Sequence, residues 1–161
     1  AAASAKVGLP EVNLGLLPGA GGTQRLPRLA GIKQAIDMIT TGHPITAHDA
    51  LTTGILDEVC PGDLGDAATS FAEALIEKGA GKRLTRNIPL NIGDDETALL
   101  SQARDTIAKR LRGQTAPQRI LNCLEAAGTA TFDEGLAAER RAFEACMGDP
   151  QSTALRHLFY A

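Results

Sequence analysis

Tryptophan is absent from the 161 residues, tyrosine occurs once and phenylalanine four times, so aromatic residues make up only 3% of the chain. Single-stranded nucleic acid is held by stacking bases on aromatic side chains, and a chain this poor in them offers no such platform. An excess of one charge is lacking as well. The formal net charge is −3, without the basic surplus that marks a nucleic-acid binder. Cysteine is scarce: Cys60, Cys123 and Cys146 stand far apart and in no C-x-x-C pattern, which excludes a disulfide framework and a cysteine zinc site and fits a reducing compartment. Long apolar runs are missing, because Gly, Pro or a charge interrupts each one before it could cross a bilayer, and no signal peptide or lipidation motif is found. A soluble, cytoplasmic chain with no membrane and no nucleic-acid partner is expected.

What is present is a hydrophobic content of 43%, enough at this length for one real core. The patterning is lopsided, with little strand and many helices. Lys6–Leu9 reads as a short strand and Thr23–Leu29 as one or two helical turns, kept short by Pro27. Ile32, Ala35, Ile36 and Ile39 form one stripe of a helix from Ile32 to Thr41, stopped by Gly42. Thr46 suits an N-cap for a helix over Ala47–Thr53, and the run I-L-D-E-V (55–59) then reads as a short strand. Asp63–Lys78 is amphipathic and closed by Gly79. The periodicity fails from Gly81 to Gly93, which reads as an extended connection. Four helices follow, over Glu96–Leu111, Pro117–Ala127, Phe132–Cys146 and Pro150–Ala161, with Gly or Pro at the joints. A division into residues 1–80 and a helical subdomain or linker of residues 81–161 is expected, the first carrying formal charge −4 and the second +1.

One carboxylate stands out. Glu11 follows a rigid proline, lies among apolar residues and precedes the cluster Gly19, Gly21 and Gly22, and a buried acid is costly unless it is paired or used. The glycines fail the dinucleotide fingerprint, since Gln24 stands where the third glycine belongs and Pro18 interrupts the approach. They read either as a tight turn that lets backbone pass close to backbone, or as a turn whose amides and helix N-terminus line a pocket beside Glu11. His43, His48 and His157 have no metal-ligand spacing, so no metal is implied. Lys82, Arg83, Arg86, Arg104, Lys109, Arg110 and Arg112 read first as a solvated face and second as groups able to neutralise phosphates.

The run G-L-P-E-V-N-L-G-L-L-P-G-A-G-G-T-Q-R-L-P-R-L-A-G, followed by A-I-D-M-I-T-T-G-H-P-I-T-A-H-D-A-L-T-T-G-I-L-D-E-V, resembles the enoyl-CoA hydratase/isomerase (crotonase) family, densely from Ala5 to Pro61. The later stretches F-D-E-G-L-A-A-E-R-R-A-F-E-A-C and D-P-Q-S-T-A-L-R-H-L-F-Y-A resemble the end of the hydratase region in bifunctional fatty acid oxidation enzymes, where a 3-hydroxyacyl-CoA dehydrogenase follows on the same chain. The resemblance implies an α/β, crotonase-like fold, of which this chain is the mostly helical C-terminal part.

The resemblance also answers what Glu11 is for. It places Glu11 on the second of the family's two catalytic glutamates, the acid/base of the P-E motif, with Gly19 contacting substrate or water through its backbone amide and Pro10 aiming the carboxylate. A carboxylate held in an apolar pocket can exchange protons near neutral pH. The substrate implied is a 2-enoyl-CoA thioester of fatty acid β-oxidation, hydrated or isomerised. The first glutamate and both oxyanion-hole segments lie upstream in the family's pattern, so the isolated chain is expected to be inactive without the N-terminal half of the hydratase domain. It is also expected to need no cofactor, with NAD confined to a downstream dehydrogenase domain, and to self-associate through exposed apolar faces. The other reading of the residues is a catalytically silent helical module for assembly.

Overall fold

The sheet is reduced to two strands of two residues each. In the computed structural model, which describes residues 1–161, β1 (Lys6–Val7) pairs antiparallel with β2 (Ile45–Thr46), Lys6 opposite Thr46 and Val7 opposite Ile45. Everything else of regular structure is helical: a 3₁₀ turn at Pro10–Leu14, then α1 (Gly22–Thr41), α2 (Ala47–Thr52), α3 (Leu64–Glu77), a second 3₁₀ turn at Thr85–Asn87, α4 (Asp94–Arg110), α5 (Ala116–Thr129), α6 (Phe132–Met147) and α7 (Pro150–Tyr160). No helix is long and apolar enough to cross a membrane.

Local chemistry sets these boundaries. Thr46 caps α2 by accepting from the Asp49 amide, Asp63 caps α3 through the amides of Gly65 and Asp66, and Asp149 caps α7 through that of Gln151. Thr131 and Glu134 form a reciprocal capping box that starts α6. α1 consists of the two helical pieces expected. It begins at Gly22 and contains Pro27, and Gly31 (φ 80°, ψ 165°) interrupts it, so a short first piece, slightly longer than the one or two turns expected, abuts the separate helix from Ile32. Proline inside a helix costs about 3 kcal/mol, and burial of Leu26 and Pro27 beneath later helices offsets it.

The strand expected at 55–59 does not form. After Gly54 the amides of Ile55 and Leu56 both turn back to the Ala50 carbonyl to close α2, and Asp57 is engaged by Arg83, so the segment has no ladder to join. Its nearest approach to a sheet is a single parallel bridge between Ala2 and Cys60.

The core joins both halves of the chain. The expected α1 stripe is buried, with Ala35 and Ile39 fully enclosed, and it meets Ile120, Leu121 and Leu124 of α5 and Leu100 and Ile107 of α4, over Val12, Leu16 and Leu17 of the first 3₁₀ turn and its exit. α6 lies across the start of α1, and α7 docks on the 3₁₀ turn, where the Ser152 hydroxyl donates to the Leu14 carbonyl at 2.9 Å. α3 stands apart: none of its residues is buried, and Leu64, Phe71, Leu75 and Ile76 are exposed.

Candidate active site

Pro10 opens the first 3₁₀ turn and Glu11 follows it, so the ring fixes the backbone just before the carboxylate. The turn closes at Gly15, and the Glu11 carbonyl accepts from the Leu16 amide at 3.1 Å. Pro10 is exposed, whereas Glu11 is partly buried, and its Oε2 is enclosed with no hydrogen-bond partner in the chain. An unpartnered buried carboxylate oxygen is uncommon, because desolvation without a replacement bond costs free energy.

Neither Arg25 nor Arg28 bonds to it. Arg28 donates to the carbonyls of Gln24 (2.7 Å) and Ala127 (3.0 Å), and no ion pair in the structure includes Glu11. The guanidinium groups of Arg25, Arg28 and Arg86 instead gather round the ring of Phe132, at 5.3, 5.0 and 5.3 Å from its centre. What a carboxylate so placed can do is accept a bond from, or pass a proton to, a molecule that enters beside it.

The glycine turn lies against the same 3₁₀ turn. A methyl group at Gly22 would meet Pro18 Cβ at 2.6 Å and Leu9 Cδ1 at 3.3 Å, so the start of α1 seats on Pro18 of its own turn and on Leu9, two residues before Glu11. Gly19 faces α6, where an added Cβ would fall 2.7 Å from Phe143 Cδ2. Gly21 is left-handed (φ 89°) and precedes the first residue of α1. Gly19 and Gly22 thus fit the tight-turn reading, with neighbouring side chains packed too closely to admit a Cβ.

α1 receives no cap from its own neighbours. Its first amides are met by Glu139 of α6, which is 1% exposed: Oε1 accepts from the Gly21 amide at 2.6 Å, and Oε2 accepts from the Thr23 amide at 2.9 Å and the Thr23 hydroxyl at 2.6 Å. The Gln24 amide group extends the network by donating to Thr23 Oγ1 and to the Cys123 carbonyl of α5. Sequence reading missed Glu139. The signal available was a glutamate on the apolar stripe of α6, four residues after Gly135 and four before Phe143.

No group of three or more His, Cys, Asp or Glu is arranged to hold a metal ion, and His43, His48 and His157 are dispersed over β2's approach, α2 and α7. A groove of 430 Å³ between α1 and α4 is lined by Val12, Asn13, His43 and Arg110 among others, and not by Pro10, Glu11 or Gly19. Lys82, Arg83, Arg86, Lys109, Arg110 and Arg112 are mostly exposed, with Arg83 and Arg86 held by Asp57 and Asp133 and Arg104 by Glu125.

Comparison with known proteins places this geometry in context. Residues 1–88 match the enoyl-CoA hydratase/isomerase family. Over 159 residues, 99% of its length, the chain is 36% identical to the peroxisomal bifunctional enzyme of Cavia porcellus, of which it spans 22%. The crystal structure of carnitinyl-CoA hydratase from Mycobacterium avium matches 99% of this chain with a TM-score of 0.61 and 24% identity, and the matched part is 50% of that protein. The likeness bears out the crotonase-like fold, in its mostly helical part.

Proposed function

Because the chain belongs to the enoyl-CoA hydratase/isomerase family, we propose that it is the C-terminal part of a hydratase that adds water across the double bond of 2-enoyl-CoA thioesters, with Glu11 as an acid/base. The observation that carries the reading is the enclosed Oε2 of Glu11, left without a partner in the chain. Glu11 transfers a proton between water and the substrate carbon, Pro10 aims it, and the Gly19 amide contacts the water or substrate. The first glutamate and the oxyanion-hole amides come from a part of the enzyme outside this chain, and loss of even one oxyanion donor typically costs about a hundredfold in rate or more. The chain taken alone therefore shows no turnover. A dehydrogenase module that takes NAD belongs to the same parent enzyme, and the present glycine turn takes none, because it lacks the dinucleotide fingerprint.

In the full-length enzyme, Glu11→Gln keeps the shape of the side chain and removes its proton transfer. kcat is expected to fall by about a hundredfold or more with KM little changed. Turnover within a few-fold of the unaltered enzyme removes Glu11 from the role. A second reading, a silent assembly module, is favoured by the exposed apolar residues of α3 and of the α7 end, Leu158, Phe159 and Tyr160. Full turnover by the parent enzyme with Glu11 required excludes it.

A further inference from the structure

The network around Glu139 is larger than a helix cap needs. Gly135, Glu139 and Phe143 are spaced by four along α6 and form one stripe, and each touches a different part of the glycine turn or the first turn of α1. Phe143 lies under Gly19, Glu139 binds Gly21 and Thr23, and Gly135 leaves room for the Gln24 carboxamide, whose Oε1 lies against the Gly135 backbone. All three donors to Glu139 are enclosed, two of them the leading amides of a helix whose dipole favours negative charge there.

We propose that Glu139 is a positioning residue, which acts through the glycine turn to hold the Gly19 amide in register with Glu11. The inference rests on the reading of Glu11 and Gly19 given above, and it adds a residue that touches neither substrate nor reacting atoms. The physical reason is that Gly19–Gly22 carries no side chain beyond the methyl of Ala20 to hold its own shape, so the turn takes its position from what binds its amides. Gly21 is tied to α6 and Gly22 rests on Leu9 and Pro18, which leaves Glu139 as the fixed point on one side and the approach to Glu11 as the fixed point on the other. Removing the first lets the turn drift relative to the second.

Glu139→Gln in the full-length enzyme tests this with the fold kept close to native. In either orientation the carboxamide presents its NH₂ group to the Gly21 amide or to the Thr23 donors, so at least one donor meets a donor. Two readouts are taken well below the variant's melting temperature. Amide hydrogen exchange over residues 18–25 is expected to speed up by about tenfold or more while α4 and α5 stay protected. kcat on a 2-enoyl-CoA is expected to fall by about tenfold or more with KM within twofold, since small misplacements of catalytic groups are costly. A simple loss of stability lowers the melting temperature and moves neither quantity.

Unchanged exchange in the turn overturns the inference whatever the activity, and so does kcat within twofold in an enzyme that Glu11→Gln inactivates. If Glu11→Gln leaves turnover intact while the turn loosens in Glu139→Gln, the acid/base reading fails and the tie between α6 and the turn stands. Thr23→Val serves where Glu139→Gln does not fold. It removes the hydroxyl's bond to Glu139 and the one it accepts from Gln24 while keeping the backbone amide bonds to Glu139, and it is expected to move both readouts in the same direction by a smaller factor.

Discussion

Cys123 shows how one enclosed side chain responds to the network beside it. Burial, and then the nearby charge of Glu139, push its thiol up to about 11, against a weaker opposite effect of a bond from Thr23. The thiol is therefore protonated at neutral pH and a poor nucleophile. Its contribution to stability is fully present below the ordinary thiol range, where folded and unfolded chains both hold the proton, and it is lost as pH rises towards about 11, where only the folded chain still does. Alkylation by iodoacetamide at pH 8 is expected to be slow at Cys123 in the folded protein and rapid after denaturation, a contrast that mass spectrometry of the labelled peptide measures. Equal labelling in both states contradicts the enclosed site. At this scale Glu11 was visible in the sequence, because a proline, apolar neighbours and a glycine turn frame it. Glu139 was not, because a charge on a helix reads as solvated until the helix acquires a neighbour, and its partners Gly21 and Thr23 lie more than a hundred residues away.

The helices owe their ends to short-range chemistry, and this is why they could be read before the fold was known. Asp149 illustrates the energetics. It accepts from the Thr115 hydroxyl, from the Gln151 amide and from Arg119, and those bonds, in that order, hold its carboxyl below the usual aspartate range. Because the folded value is depressed, the associated stability is present above the ordinary aspartate range and is lost as pH falls through the lowered value. Asp149→Ala is expected to lower the denaturant midpoint at pH 7, as loss of other N-caps does. The cost should shrink at acid pH, where the unaltered carboxyl is itself protonated. A loss that is the same at both pH values argues against the cap. Elements held by long-range partners were the illegible ones. Residues 55–59 alternate like a strand, yet alternation reports only which side chains avoid water, and here the backbone amides close α2 instead. Pro27 stands inside the short first piece of α1, and Gly31, in a backbone conformation that favours glycine, ends that piece.

Taken whole, the molecule has one well-filled centre and two unclothed edges. The centre brings α1, α4 and α5 round the 3₁₀ turn, and the helical predominance expected from composition and periodicity is what forms it. The edges are α3, none of whose residues is buried, and the end of α7, where Leu158, Phe159 and Tyr160 are 70%, 69% and 85% exposed. Contiguous apolar surface of this kind draws partners or copies of itself. The isolated chain is expected to bind an apolar fluorescent dye and to elute above its monomer mass at high concentration. A monodisperse monomer that binds no dye contradicts this, and Ile76→Lys, which places a charge on the most exposed apolar residue of α3, should reduce both signals.

The distance along the chain between Thr23 and Glu139 also has a temporal side. Synthesis delivers the glycine turn well before α6, so until α6 emerges the first turn of α1 has its leading amides open to water. Contacts this far apart in sequence are slow to close, because the chain between must first be gathered. The candidate site thus depends on parts of the chain that are far apart, and the glycine turn is fixed only when α6, more than a hundred residues later, arrives to hold it.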